Sequence, residues 1–440
     1  MQSLPSWTSL QSAERQRWLR TRRGFAEAVN RYFNPFISIE PPPTGTADDA
    51  PGALAGLPYA VKDMFRTGSR VPTCGLPDGT VCGIAGESDL LKRFDDAGAD
   101  LVGFTNMTEL ACEPSGYNAN HGRVINPWNT SFIPGGSSSG SAVAVAVGAV
   151  AVAVGSDTAG SLRIPAHACG ITALKPTNGL VSMQGVMPLS PSLDTIGFLA
   201  RDAADLGLAV DITLALPKVS PIGSAVVLSD ALDQSEPDVR LACSNAIDAI
   251  RECGVAIVTQ RGLTALEAID PHVLVILQAE AARQHRAVLN DARLSASLRK
   301  RLAKGAEISD IELADSLTAR GQLQRDITER IFGEADIALL PVMPIRTPEA
   351  ALCDPESDRF TPRVLYELSR FTRFANFLGL PVVAMPAGFD DHGMPAALQI
   401  VGRRGLDLAL LDLTRAVQAK TDWHARMPAE LARIPLPDRA

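Results

Sequence analysis

Residues 134–166 constrain this chain more than any other stretch. Two segments dense in glycine and serine, 134–142 (PGGSSSGSA) and 155–166 (GSDTAGSLRIPA), flank the apolar run 141–155 (SAVAVAVGAVAVAVG). The run is too short and too rich in alanine and glycine to span a bilayer, which takes about 20 strongly apolar residues. It reads as a buried helix passing into a buried strand. The flanking segments hold small and hydroxylated residues, suited to tight turns that leave backbone N–H groups free.

Strands and helices alternate from residue 57 onward. Residues 57–61 read as a strand, Ser88 caps a helix through about Ala97 with Gly98 at its end, and 101–104 is a short buried strand. Residues 224–228, 238–253 and 255–258 repeat the strand–helix–strand rhythm. Residues 272–332 are helical by pattern, and 337–340, 382–385 and 398–401 read as further strands. The alternation predicts an α/β fold, a sheet with helices on both faces. Ahead of it, Leu10, Trp18, Phe25, Val29 and Phe33 recur at helical spacing, with Arg15, Arg17, Arg20, Arg22 and Arg23 on a face read as solvated. Residues 41–52 (PPPTGTADDAPG) read as a loop, because proline removes ladder donors.

Composition narrows the function classes. The 440 residues are 46% apolar, enough for a large core, and the net charge of −8 disfavours nucleic acid and anionic membranes as partners. Seven cysteines with no C-x-x-C spacing predict reduced thiols in a cytoplasmic protein, neither a disulfide framework nor a metal site. The N-terminus has no signal-peptide apolar region.

The second serine segment suggests chemistry. A serine hydroxyl needs a base to act as a nucleophile. Ser161 follows Thr158, Ala159 and Gly160, a turn able to aim successive N–H groups at one oxyanion. Asp157 and Arg163 flank it, placed to lock its shape by a charge-assisted hydrogen bond. None of the six histidines, His121, His167, His272, His285, His392 and His424, lies in a motif that marks a catalytic histidine. Lys62 ends the apolar strand LPYAVK, and desolvation there favours its neutral form. Lowering its pKa from about 10.4 to about 7.5 takes roughly 4 kcal/mol. Taken alone, Lys62 reads first as the partner of Asp63 in a strand-end salt bridge, and as a base only second.

These words resemble the amidase signature family in order and spacing. G-x-P-x-x-x-K-D is matched at 56–63, P-G-G-S-S-x-G at 134–140 and D-T-x-G-S at 157–161. Residues 105–109 (TNMTE), 126–128 (NPW), 175–177 (KPT), 192–195 (SLDT), 379–381 (GLP) and 399–402 (QIVG) match as well. The resemblance implies the amidase signature fold, with a large central mixed β-sheet covered by helices on both faces. It implies a catalytic triad of Lys62, Ser137 after a cis peptide bond, and the nucleophile Ser161. It further implies an oxyanion hole from Thr158, Ala159, Gly160 and Ser161, and support from Ser138, Asp157 and Arg163. Substrate contacts are expected from 111–117, beginning with Ala111 and Cys112, and from 272–323. The activity implied is hydrolysis of a small carboxamide through an acyl-enzyme, with no cofactor and no metal; a homodimer is left open. The whole chain, 1–440, is expected to form one amidase domain, with an N-terminal helical segment and loop at 1–52, a signature core at 57–215 and a variable helical segment at 272–332. Ala159 departs from a glycine common in the family, so position 159 is expected to keep ordinary backbone angles. Phe104 stands where a lysine often precedes Thr-Asn.

Other readings compete. Within the family, the alternative is the amidase subunit of a tRNA-dependent amidotransferase, from whose usual pattern residues 187–195 (MPLSPSLDT) depart. Residues 136–140 match the G-x-S-x-G elbow of α/β-hydrolases, but the preceding residues 126–134 make a poor strand. A nucleotide-binding module would use the Gly/Ser loop for phosphate, yet no G-x-x-x-x-G-K-[ST] accompanies it. The S-x-x-K match at Ser297 and Lys300 reads as chance, and Arg346 reads either as an anchor for an acidic substrate group or as a surface ion pair.

Overall fold

The computed structural model describes residues 7–42, 52–68, 70–77, 83–214, 216, 219–289 and 291–434. Most of the loop expected at 41–52, and Cys82, lie outside the described residues.

Eleven strands form one mixed sheet: β1 (Phe36–Ile39), β2 (Pro58–Lys62), β3 (Asp100–Thr105), β4 (Val152–Asp157), β5 (Thr172–Lys175), β6 (Thr195–Ala200), β7 (Ser224–Leu228), β8 (Ala256–Gln260), β9 (Ile337–Pro341), β10 (Val382–Phe389) and β11 (Pro395–Gly402). Their order is β1-β3-β2-β4-β6-β5-β10-β11-β9-β7-β8. The pairs β3/β2 and β2/β4 are parallel, as are β9/β7 and β7/β8, and the centre from β4 to β9 is antiparallel.

Period-2 alternation divides the strand side chains between the two faces of the sheet. Tyr59 and Val61, Val152 and Val154, and Phe198 pack on one face with the helices Asp89–Asp96, Ala203–Thr213, Pro237–Glu252 and Asp407–Gln418. Ala60, Ala153 and Leu199 face the other side, where the helices Ser12–Phe33, Ser139–Ala146, Arg163–Cys169 and Pro362–Ser369 lie. Helices therefore cover both faces. The apolar run behaves as its pattern predicts: Ser139–Ala146 is helix, Val152–Asp157 is strand, and both are fully buried. Alanine and valine fit because helix and sheet approach closely there. A Cβ on Gly140 would clash with the carbonyl oxygens of Pro35 and Asn106.

The N-terminal basic face differs from expectation. Arg22 is buried, with its guanidinium over the Trp18 ring. Arg23 pairs with Asp100 at 2.7 Å and donates to the Glu40 carbonyl at 2.8 Å. Helical periodicity identifies a polar face, but the start of β3 and the residue after β1 cover part of it. Among the described residues no helix is long and apolar enough to cross a membrane, and six cysteines are free thiols.

Candidate active site

The strand order positions the site. From β2 the chain turns to β3 on one side and to β4 on the other, and all three run parallel. Such a switch opens a crevice at the carboxyl ends of the strands. Lys62 is the last residue of β2 and Asp157 the last of β4, so both arrive at that crevice.

Lys62 is fully buried. Its Nζ donates to Ser137 Oγ at 2.7 Å and to Ser156 Oγ at 2.8 Å. Burial lowers its pKa from 10.5 to about 7, against weaker opposing pulls from Asp157 and Asp194. Asp63 is not its partner, because that carboxylate pairs with Arg70 and accepts from Thr73 N at 3.0 Å. The Arg70 guanidinium in turn lies 3.9 Å from the Phe104 ring centroid.

Ser137 follows a cis peptide bond from Gly136. The loop is stitched to the second serine segment: Ser138 N donates to the Ser161 carbonyl at 3.2 Å, and Ser138 Oγ to the Ser156 carbonyl at 3.2 Å. Ser141 Oγ shares a 2.7 Å hydrogen bond with Thr105 Oγ1 and donates to the Val154 carbonyl at 3.1 Å. The residues before Gly136 form no strand, and Ser138 is buried without a histidine partner, so no hydrolase elbow exists here.

The turn at 157–161 is held by charge. Asp157 and Arg163 form a fully buried ion pair at 2.9 Å. Burial alone would raise the Asp157 pKa, but the Arg163 charge and hydrogen bonds outweigh it, leaving a value of about 2. Arg163 also donates to the Thr372 carbonyl at 2.8 Å, to Asn376 Oδ1 at 2.7 Å and to Gln399 Oε1 at 3.2 Å. Thr372 Oγ1 donates to the Ala159 carbonyl at 2.6 Å, and Asn376 Nδ2 to the Asp157 carbonyl at 2.7 Å.

One expected oxyanion donor is spent on this scaffold. Gly160 N donates to Asp157 Oδ1 at 2.8 Å, so Gly160 shapes the turn instead of lining the hole. Its φ of 127° is open to glycine, and a Cβ would strike Thr372 Oγ1. The N–H groups of Thr158, Ala159 and Ser161 have no acceptor among the described residues. Ala159 is absent from the non-glycine residues with positive φ, which are Asn34, Cys74, Leu110 and Ala111. Thr158 Oγ1 donates to Asp194 Oδ1 at 2.6 Å, and burial pushes that carboxyl up to about 7.

Ser161 and Ala159 are half-buried at the wall of a cavity of about 500 Å³. Ala111 and Cys112 line it, held there by left-handed backbone at Leu110 and Ala111 (φ 49° and 59°). Burial raises the Cys112 thiol to about 12, so it stays protonated. Residues 274–281 and 297–304 form a second wall, inside the segment expected to contribute. A third wall, from Phe360 to Arg373, has no sequence signal beyond Pro362. Among the described residues no histidine lines the cavity. Ser297 and Lys300 do, although their spacing reads as chance. Arg346 does not; it pairs with Glu236, Asp238 and Asp391.

Comparison with known proteins identifies the family. The Amidase family model matches residues 43–411. One subunit of the glutamyl-tRNA(Gln) amidotransferase of Thiobacillus denitrificans is 32% identical over an alignment spanning 92% of this chain and 93% of that protein. The crystal structure of an amidase superposes with a TM-score of 0.80 at 27% identity, over 93% of this chain and all of the other. A substrate complex of 6-aminohexanoate cyclic dimer hydrolase shares the fold at TM-score 0.81 and 24% identity, over 95% of this chain and 96% of that one. A chain with these signature words, on this sheet, matched over this length, belongs to the Amidase family and is an amide-hydrolysing enzyme.

Proposed function

We propose that this enzyme hydrolyses a small carboxamide to carboxylate and ammonia or amine through an acyl-enzyme on Ser161. The observation that carries the reading is the caged lysine: Lys62 Nζ touches two hydroxyls, Ser137 and Ser156, and burial brings its pKa to about 7. A neutral lysine accepts a proton from Ser137, which takes one from Ser161 as that oxygen attacks the carbonyl carbon. The carbonyl π bond opens, and the oxyanion is received by the N–H groups of Thr158, Ala159 and Ser161. The relay then runs backwards, the leaving nitrogen takes the proton, and the C–N bond breaks. Water repeats the sequence on the ester and frees the acid. Ser138, Asp157 and Arg163 hold the two serine loops in register. In this reading the chain is one catalytic domain, and residues 272–332 supply a variable wall of the substrate cavity. It works in the cytoplasm on a small-molecule amide.

A second reading has a specific support. Curated relatives of this chain include amidotransferase subunits, whose name implies partner subunits and a tRNA-linked substrate. Against it, residues 187–195 depart from the pattern of those subunits, and Glu280 ties that loop down by accepting from Ser190 Oγ at 2.6 Å and Ser192 N at 3.0 Å. Ammonia release by the isolated chain from a panel of aliphatic, aromatic and ureido amides tests the choice. Turnover without partner or tRNA is expected; activity appearing only with amidotransferase partner proteins and charged tRNA would move the chain to the second reading. Ser161→Ala should abolish turnover, and mass mapping of a covalent serine probe should find Ser161. Labelling at Ser138 instead would refute the nucleophile.

A further inference from the structure

The helix Ala296–Ala306 turns Leu298, Leu302 and Gly305 into the protein. Ser297, Lys300, Arg301 and Lys304, spaced i, i+3, i+4 and i+7, share another face, and all four line the cavity that holds Ser161. Most of the remaining wall is apolar, with Ile164, Leu274, Leu277, Phe360 and Leu365.

The cations of this cavity are not equally engaged. Arg373 is buried 3.5 Å from Asp270. Arg301 donates from Nη1 to the Cys112 carbonyl at 2.6 Å. Lys300 and Lys304 are exposed and have no ion-pair or hydrogen-bond partner among the described residues. Glu113 is the one acidic residue lining the cavity among the described residues. Its carboxylate is turned to the N–H groups of Ser115, Gly116 and Tyr117 at 2.9, 3.2 and 3.3 Å, and burial raises its pKa. The cavity therefore carries uncompensated positive charge in a chain whose net charge is −8. An apolar body ending in cations is complementary to a ligand with an apolar body ending in an anion.

We propose that the substrate is an amide carrying a second, carboxylate group, separated from the scissile bond by an apolar body and met by Lys300 and Lys304 beside Arg301. This rests on reading the cavity as the substrate pocket. The two lysines act through partly screened charge, so together they give about a tenfold preference.

The test measures affinity on the Ser161→Ala protein by calorimetry, so it does not depend on turnover. Two pairs of equal shape are compared: adipamic acid with 6-methylheptanamide, and N-hexanoylglycine with N-isobutylhexanamide. The first pair carries the carboxylate on the acyl side, the second on the amine side. At low salt the carboxylate member of at least one pair should bind about tenfold more tightly. That ratio should fall to within about twofold in the Lys300→Gln/Lys304→Gln double variant, and should shrink in about 0.5 M salt as screening shortens the reach of the charges. No preference in either pair, no binding of either carboxylate amide, or a preference that survives in the double variant overturns the proposal. Turnover of these amides by the unaltered enzyme separates the two failures. Hydrolysis without a carboxylate preference refutes the subsite alone, whereas a lysine-dependent preference without a Ser161 adduct refutes the nucleophile and leaves the subsite standing.

Discussion

Replacing Lys62 offers the sharpest test, because its charge state and its burial make opposite demands. With a pKa of about 7 the fraction of neutral lysine rises about tenfold between pH 6 and pH 8 and then levels off. An ordinary lysine near 10.5 would give about a hundredfold rise over the same interval and no plateau. A kcat/KM profile on one amide therefore reads the burial directly. Lys175 is a necessary control, since burial also lowers its pKa to about 7. Its Nζ donates to the Pro176 carbonyl at 2.8 Å and to Asn178 Oδ1 at 2.7 Å, neither of which has a proton to give. Lys175→Met should keep the ionisation near 7 in whatever activity it retains. The same shift sets stability. Between about 7 and 10.5 the unfolded state holds a proton that the folded state has released, so stability rises with pH across that window, by up to about 5 kcal/mol from Lys62 alone, and the full burial cost stands below pH 7. Lys62→Met removes that cost but takes a partner from the hydroxyls of Ser137 and Ser156, at about 1–3 kcal/mol each. The variant should thus melt at pH 7 no more than a few degrees below the parent, while turnover falls by about three orders of magnitude or more. Lys62→Arg should be similarly inactive, because guanidinium keeps its proton. An active arginine variant, or an ionisation near 7 that moves with Lys175 instead, would refute the relay.

Thr372→Val removes the hydroxyl that holds the Ala159 carbonyl; with about 1 kcal/mol of turn support lost, kcat should fall roughly five- to tenfold while KM changes little. A matched loss in KM would mean that Thr372 shapes the cavity and not the turn. Ala substitution of His392 or His424 should leave kcat/KM within about threefold, since neither lines the cavity and the proposed base is Lys62. A loss of several orders of magnitude would point to a histidine base. Dialysis against a strong chelator should leave the rate unchanged, because lysine, serines and backbone donors supply every proposed step; zinc-restored activity would overturn that account.

Much of the fold is legible in the sequence because its signals are local. Residues 57–61 and the end of the run 141–155 read as strands and form β2 and β4, and the Ser88 cap with Gly98 beyond the helix gives its ends, whereas β1, β5 and β6 form where the pattern predicts no strand. The strand β10 runs beyond the 382–385 that its pattern predicts, since its last residues, through Phe389, continue past a register shift that leaves no mark in the pattern. Arg22 and Arg23 read as solvated and are not, because periodicity defines a face and says nothing of what covers it.

The site is legible in its words and illegible in its wiring. Lys62, Ser137 and Ser161 sit in short motifs, yet the second hydroxyl on Lys62 comes from Ser156, 94 residues away, to which the surrounding motif assigns no role. Alternation along the strand offers no reason to single it out. The partners that hold Arg163 lie 209 to 236 residues away, at Thr372, Asn376 and Gln399. Asn376 and Gln399 are single polar residues in apolar runs and Thr372 lies between Phe371 and Arg373, and only closure of the sheet brings the three to a single guanidinium. That closure also decides the oxyanion turn. Asp157 must accept from Gly160 and Leu162 to bend the chain, and in doing so it takes Gly160 out of the set of donors that the motif alone suggests. A sequence motif names which N–H groups are close; only the satisfied carboxylate says which of them remain free.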